Sequence, residues 1–362
     1  MGIETIDKNF LTKRVKAESF DWFDSSHQNV TLHGVFYDQD DKEFKRLPKT
    51  VAKDTSEGVL WLHNNTAGGR LRFKTNSNIF AIKGEQKFVG VMPHMPLYGQ
   101  AGFAFYVDGT YAGTVSPTFN DFEDRKNDIV YFDGTVELSK KAFKRGIVHD
   151  VEIYFPLYYN VQKLFVGVEK GCLIDKPKSY KNNIPVLFYG SSITQGGCAS
   201  HPGNDYQGIL SRKLDFDYIN LGFSGSGKGE PTIADYVASQ NCSIFVMDYD
   251  HNAPSPEHLE QTHYPMYEKI RAIHPNAPII FTSKPDCDYR FESELYLEVI
   301  KKSYKKAKAS GDKNVYFVSG PRLFGKDCRD ACVVDSCHPN DLGFYRIAKT
   351  LEPLLKKLLK EI

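Results

Sequence analysis

The first 171 residues contain no cysteine, and the whole chain of 362 residues has seven, an odd number that begins at Cys172. A disulfide framework is thereby excluded. Cys328 and Cys332 are too widely spaced for a CxxC pair, and no second pair completes a zinc site. The thiols read as free and buried. No apolar run reaches the roughly 18 residues that span a bilayer. The start, MGIETIDKNFLTKRVK, lacks the apolar core of a secretory signal. Met1-Gly2 opens like a myristoylation signal, but Ile6 stands where that pattern needs Ser or Thr. The expectation is a cytoplasmic protein, or a secreted one whose leader has been removed. Neither charge is in excess: 46 Lys and Arg face 45 Asp and Glu. That balance excludes a dedicated nucleic-acid or anionic-membrane binder. At 41% hydrophobic and 25% charged residues, wholesale disorder is excluded as well.

What is present falls into two parts. The first has short alternating runs between turn residues: Val59–His63, Arg70–Phe73, Ile79–Lys83, Lys87–Val91, Val151–Phe155 and Lys163–Val168. The clearest pair is Phe103–Val107 and Thr110-Tyr111 around Asp108-Gly109, a hairpin signal because both turn residues need positive φ. No long helical period appears. This predicts an all-β sandwich, jelly-roll-like, over residues 1–175. After a polar linker, Lys170–Asn183, the period changes. Apolar strands at Ile184–Gly190, Asp217–Leu221, Ser243–Asp248, Pro278–Ser283 and Val315–Ser319 alternate with helical stretches. The latter are Tyr206–Leu214, Ile233–Ser239, Pro256–Ile273, Glu292–Ala309 and Asp341–Leu359. That order predicts a five-stranded parallel sheet in a three-layer α/β/α domain over 184–362.

Sites in such folds lie at the carboxyl ends of the strands. Those ends read Gly190-Ser191-Ser192-Ile193-Thr194-Gln195, then Asn220 to Gly227, then Asp248-Tyr249-Asp250-His251-Asn252. Past the fifth strand comes Asp335-Ser336-Cys337-His338. Together they supply a hydroxyl nucleophile, turns of small residues with free backbone N–H groups, a side-chain amide, and an acid with an imidazole. Acyl transfer by serine needs those parts. Each residue alone reads equally well as a turn serine or a helix-cap neighbour; jointly and in this order they read as a site. Two features narrow the class: the nucleophile turn lacks the second glycine of G-x-S-x-G, and acid and base are three residues apart.

On these blocks the second part resembles the SGNH/GDSL hydrolase family, whose domain is flavodoxin-like. Two departures stand out: Ser191 replaces the family's Asp beside the nucleophile, and Asp250-His251-Asn252-Ala253 replaces G-x-N-D. Met92-Pro-His-Met-Pro96 before Gly102-Phe-Ala-Phe-Tyr106 is similar to a motif of the two-domain bacterial subgroup, in weaker form. The resemblance implies Ser192 as nucleophile, His338 as base and Asp335 as its partner. It implies an oxyanion hole from the Ser192 N–H, the Gly225 N–H and the Asn252 amide, with Gly222 as the second choice of glycine. No cofactor or metal is expected.

Three decoys are set aside. Gly222–Gly229 matches GxxxxGK but lacks the final Ser/Thr that holds Mg²⁺, and Glu230-Pro231 breaks the chain where a phosphate helix starts. Asp248, Asp250 and His251, with Asp286 and Asp288 of a predicted loop, sketch a hard-metal cluster. The Lys301–Lys308 run is a solvated helix face. The segment after Ile193 is small and polar, with no apolar lid. A short acyl group on a sugar or oligosaccharide is therefore the expected substrate, with a β-sandwich ahead of it as in two-domain carbohydrate acetylesterases. The competing readings are a lysophospholipase or thioesterase on longer chains and a non-catalytic carbohydrate-binding protein. His201 and Asn204, after the nucleophile block, and His94 and Tyr98, in the loop 92–101, are the candidate substrate contacts.

Overall fold

A computed structural model of the protein describes Ile6, residues 14–285 and residues 291–362. Met1-Gly2 and the predicted loop at Asp286, Cys287 and Asp288 lie outside the described residues. In chain order the first part holds β1 (Phe20–Phe23), β2 (Thr31–His33), β3 (Phe36–Asp38), β4 (Glu43–Lys45), α1 (Lys49–Thr55) and α2 (Glu57–Leu62). Then come β5 (Arg70–Thr75), β6 (Ile79–Lys87), α3 (Leu97–Ala101), β7 (Phe103–Val107), β8 (Thr110–Val115), α4 (Phe119–Glu123), β9 (Ile129–Glu137), β10 (His149–Tyr154) and β11 (Asn160–Glu169). Two large antiparallel sheets form, in the orders β1-β11-β6-β9 and β2-β5-β10-β7-β8, and β3 pairs with β4 in a separate antiparallel pair.

Period-two patterning explains their stacking. In β9, Val130, Phe132 and Val136 are buried while Tyr131 and Glu137 face out. Rings from the two inner faces interdigitate: Phe80 of one sheet stacks on Phe105 of the other at 5.8 Å, and Phe132 on Phe103 at 5.1 Å. The β7–β8 hairpin turns at Asp108-Gly109 as predicted, with φ of 49° and 76°.

The second part holds β12 (Asn182–Gly190), α5 (Ser192–Gln195), α6 (Tyr206–Leu214), β13 (Phe216–Gly222), α7 (Pro231–Ser239), β14 (Ile244–Asp248) and α8 (Pro256–Ile273). It closes with β15 (Ile279–Thr282), α9 (Phe291–Ala309), β16 (Val315–Val318) and α10 (Asp341–Glu361). The parallel sheet has the order β13-β12-β14-β15-β16. Alternate residues of β12 serve opposite cores: Val186 and Phe188 join Leu210 of α6 and Phe344 and Leu351 of α10. Leu187 and Tyr189 join Ile233 of α7, Leu259 of α8 and Ile300 of α9. The chain moves from β12 to β13 on one side and then crosses back to β14 on the other, so the crevice for a ligand opens at the ends of these three strands.

Three local expectations are corrected. Val59–His63 is helical, not a strand. Ser56 caps α2 by accepting the Val59 N–H, and Val59 and Leu62, three apart, are the buried pair; Trp61 faces out. β6 ends at Lys87, so Lys87–Val91 is no separate strand; the chain leaves the sheet at Phe88 and Gly90 takes a φ of 97°. The segment 170–183 is docked rather than free: Asp175 exchanges backbone hydrogen bonds with Lys74, and the Tyr180 ring is buried under Arg70. The halves are also less separate than the sequence implies. Ala52, Val59 and Leu62 of α1 and α2 belong to the same core as Ile233 and Ala234 of α7.

Candidate active site

The ends of β12, β13 and β14 crowd together because glycines stand where side chains would collide. A Cβ on Gly190 would lie 2.1 Å from both the Asp248 carbonyl oxygen and Thr194 Oγ1. One on Gly222 would lie 2.2 Å from the Gln195 nitrogen. This lets α5 start directly above β12 with Ser192 as its first residue, while Ser191 caps it by accepting the Ile193 N–H at 3.2 Å. Ser192 is buried; its Oγ lies 2.8 Å from His338 Nε2.

His338 and Asp335 sit on the turn before α10. The Asp335 carboxylate takes His338 Nδ1 at 2.8 Å, and its other oxygen accepts the backbone N–H groups of His338 (2.8 Å) and Cys337 (3.2 Å). A three-residue spacing suffices because Ser336 adopts a φ of 65°, folding the turn so that side chain and backbone of His338 meet the same carboxylate. Partial burial pushes the Asp335 carboxyl up, but these hydrogen bonds and the imidazole outweigh it and hold it below the usual carboxylate range. With Nδ1 held by the acid, Nε2 is left to accept from the Ser192 hydroxyl.

Asn252 lies on a 3₁₀ turn after β14 and donates one amide hydrogen to the Phe223 carbonyl at 2.9 Å. Gly225 occupies the tip of the turn after β13 with a φ of 65°. Among the described residues neither the Ser192 nor the Gly225 N–H has an acceptor, whereas the Ser224 N–H is held by Gln195 Oε1 at 2.9 Å. Gly222, the second candidate, has its N–H taken by Asn220 Oδ1 at 2.9 Å, so it is no free donor. The site can thus present two backbone N–H groups and an amide beside a serine whose hydroxyl meets an imidazole.

Of the candidate substrate contacts, His94 is brought in: its ring centroid is 5.4 Å from that of His338. Tyr98 is half-exposed on α3. His201 stacks on Tyr111 at 4.2 Å and reaches toward the Tyr106 hydroxyl, with the Asn204 N–H closing a turn onto its carbonyl. His201 is thus packed on the β7–β8 hairpin. The decoy residues have other partners among the described residues. After Gly222–Gly229 the next helix starts only at Pro231, and the Gly229 N–H is spent on the Tyr189 hydroxyl. Asp248 is buried against Thr194 Oγ1 and Tyr206, its carboxyl pushed up to about 6 by burial; Asp250 accepts the Lys284 N–H; His251 Nε2 meets Cys337 Sγ at 2.9 Å.

Several supporting groups carried no sequence signal. The Gln195 amide bridges Ser224, Asn65 and the Leu157 carbonyl. The Tyr158 hydroxyl donates to the Ser192 carbonyl at 3.3 Å. Arg46 is fully buried and donates to the carbonyls of Leu62, Asn65, Asn220 and Gly222 at 2.6–3.2 Å, while burial pulls its guanidinium down to about 9. It clamps the end of β13 to the β-rich part. Position from Ser192 could have pointed to Gln195, one helical turn on; a lone arginine in a turn could not have been singled out.

Residues 183–356 match the model of the GDSL-like lipase/acylhydrolase family, and residues 20–174 that of the N-terminus (GxDLY) of SGNH-hydrolase-type esterases. The chain belongs to this SGNH/GDSL family of carboxylic ester hydrolases. In the motif that names the N-terminal part, Gly102 and Tyr106 are kept, while Ala104 and Phe105 stand in place of the Asp and Leu. A Bacteroides ovatus protein described as a GDSL-like lipase is similar at 26% identity and a TM-score of 0.81, covering 94% of this chain and 98% of its own. A salicylyl-acyltransferase from a tetracycline biosynthetic pathway aligns at 21% identity and 0.76, over 95% and 98% of the two chains. A family two carbohydrate esterase from Clostridium thermocellum, in complex with cellohexaose, shares the fold at 14% and 0.61, over 92% and 100%. No curated protein sequence matches significantly.

Proposed function

We propose that the protein is a serine esterase that removes a short acyl group, acetyl in the first place, from a carbohydrate. The observation that carries this reading is the continuous contact from Ser192 Oγ to His338 Nε2 and from His338 Nδ1 to Asp335. Ser192 Oγ attacks the ester carbonyl as His338 takes its proton, giving a tetrahedral oxyanion held by the Ser192 and Gly225 N–H groups and the Asn252 amide. The C–O bond to the sugar breaks, and His338 returns the proton to the leaving alkoxide. Water then attacks the acyl-serine with His338 again as base, releasing the carboxylic acid and free Ser192. Asp335 holds the tautomer and stabilises the imidazolium.

The small, tightly packed segment after α5 favours a short acyl group. Gly99 approaches Ala199 so closely that a Cβ would sit 2.0 Å from its carbonyl oxygen, so α3 packs tightly on this segment. In this reading residues 184–362 carry the chemistry, and the β-rich part, residues 1–175, walls the site through His94. The acylated sugar or oligosaccharide is the only partner invoked. The test is acetate release from acetylated glycans, run beside fluorophosphonate labelling. Wild type should release acetate and be labelled; Ser192→Ala should do neither. Labelling that survives in Ser192→Ala, or a preference for octanoyl over acetyl esters, would overturn the proposal.

A further inference from the structure

Trp61 is the largest exposed apolar side chain near the site, with 67% of its surface open on α2. It stands where two cavities meet. One, of about 330 Å³, is lined by Tyr158 and Ser224 beside the nucleophile, by Met92 and Gln100 of the β-rich part, and by Trp61 and Val89. The other, of about 430 Å³, continues past the same Trp61 and Val89 to Asp41, His63, Asn64 and Lys87. Both volumes lie within the range of small-ligand sites. Sharing Trp61 and Val89, the two make a path past the indole from Tyr158, whose hydroxyl is bonded to the Ser192 carbonyl.

The chemistry of the path is uneven in a useful way. Its midpoint is a flat aromatic face, and its far end is polar: the Glu43 carboxylate holds Asn64 Nδ2 at 3.0 and 3.1 Å, with Lys87 and Gln162 on the rim. His63 belongs to that end. Its Nδ1 donates to the Leu60 carbonyl at 2.6 Å, which leaves Nε2 as an acceptor, and this atom has no partner among the described residues. A fatty chain would desolvate these polar groups without pairing them, at a cost. A chain of pyranose rings offers C–H faces to the indole and hydroxyl groups to the carboxylate, amides and imidazole.

We infer that Trp61 is the platform of a distal carbohydrate subsite, so that the protein acts on an oligosaccharide rather than a monosaccharide. This rests on the carbohydrate reading of the same site. An indole stacked on one sugar ring contributes roughly threefold to tenfold in affinity, by analogy with aromatic pairs.

Two measurements test it separately from the esterase reading. The first compares kcat/KM on acetylated xylo-oligosaccharides of one and four sugars. Wild type should gain with length; in Trp61→Ala that gain should shrink threefold to tenfold through KM, and Trp61→Phe should keep most of it. The second titrates unacetylated xylotetraose and cellotetraose and follows tryptophan fluorescence. A saturable change in wild type that is absent in Trp61→Phe supports the subsite even if no acetylated glycan is hydrolysed. A length dependence equal in wild type and Trp61→Ala, no length dependence at all, or no fluorescence change with either tetrasaccharide overturns it.

Discussion

Asn252 stands in an unusual setting, Asp250-His251-Asn252-Ala253, yet its amide is held by Phe223 O from the same turn that carries Gly225. One amide hydrogen is fixed there, which leaves the second for the oxyanion that the proposed mechanism assigns to it. Removing one such donor typically costs about 10²–10³ in kcat. Asn252→Ala is therefore expected to lower kcat by that factor with KM little changed, measured on 4-nitrophenyl acetate. A variant within about threefold of wild type would move the role elsewhere. His94 is a milder case. Its ring lies beside His338 but makes no hydrogen bond in the triad. His94→Ala should lose kcat/KM on an acetylated glycan far more than on 4-nitrophenyl acetate, because a small activated ester needs little positioning. Equal losses on both would make His94 part of the reaction rather than of the substrate wall. That Ser192, His338 and Asp335 would meet was legible because their blocks follow strands in a fixed order. Arg46 was not: a buried arginine satisfied by four carbonyls has the same letter as a surface one, and only its carbonyl partners, distant in sequence, distinguish it.

At the scale of elements, long buried segments read well and short ones poorly. Tyr206–Leu214 and Pro256–Ile273 form as predicted, since capping by Asp205 and Ser255 coincides with the apolar period. The six residues of α2 imitate an alternating strand, and only the Ser56 cap separates the two readings. Within α8, His263 looks polar in sequence but is wholly buried between Tyr249 and Phe281, with neither ring nitrogen bonded among the described residues. Burial depresses its pKa to about 3 from an ordinary 6.5. The unfolded chain binds a proton there below about pH 6.5 that the fold excludes, so stability falls as pH drops from that point toward 3. The slope from this one group approaches about 1.4 kcal/mol per pH unit. Urea midpoints measured at pH 7 and pH 5 should separate in wild type and draw together in His263→Phe. Equal separation in both would mean the acid sensitivity resides in other groups.

For the molecule as a whole, the question is what fixes the β-rich part to the parallel sheet so that loop 92–101 stays over the site. Apolar contact through α1 and α2 does some of this, but Arg70 gives the junction its geometry. Its side chain is fully buried, lies 3.8 Å over the Tyr218 ring, and donates to Asp217, to the Tyr218 carbonyl at 3.1 Å and to the Gly68 carbonyl at 2.5 Å. His33 of β2 adds a second contact to Asp217 at 2.8 Å. Burial alone would raise the Asp217 carboxyl; the His33 hydrogen bond and the Arg70 charge outweigh it and hold it low. Gly68 must be glycine here, since at a φ of 79° a Cβ would lie 2.7 Å from that of Asn220, the residue whose amide holds the Thr194 carbonyl of α5. The ion pair is therefore linked to the nucleophile's helix through Gly68 and Asn220. Breaking a buried pair from one side leaves an unpaired charge and costs about 3–5 kcal/mol, whereas removing both charges costs much less. Arg70→Met should lower the unfolding free energy by that amount, Asp217→Asn by a similar one, and the double variant should recover part of the loss. Denaturant titration of the four proteins gives the coupling. If the two single losses add to within about 0.5 kcal/mol, the pair does not act as a unit, and the apolar contacts alone hold the two parts in register.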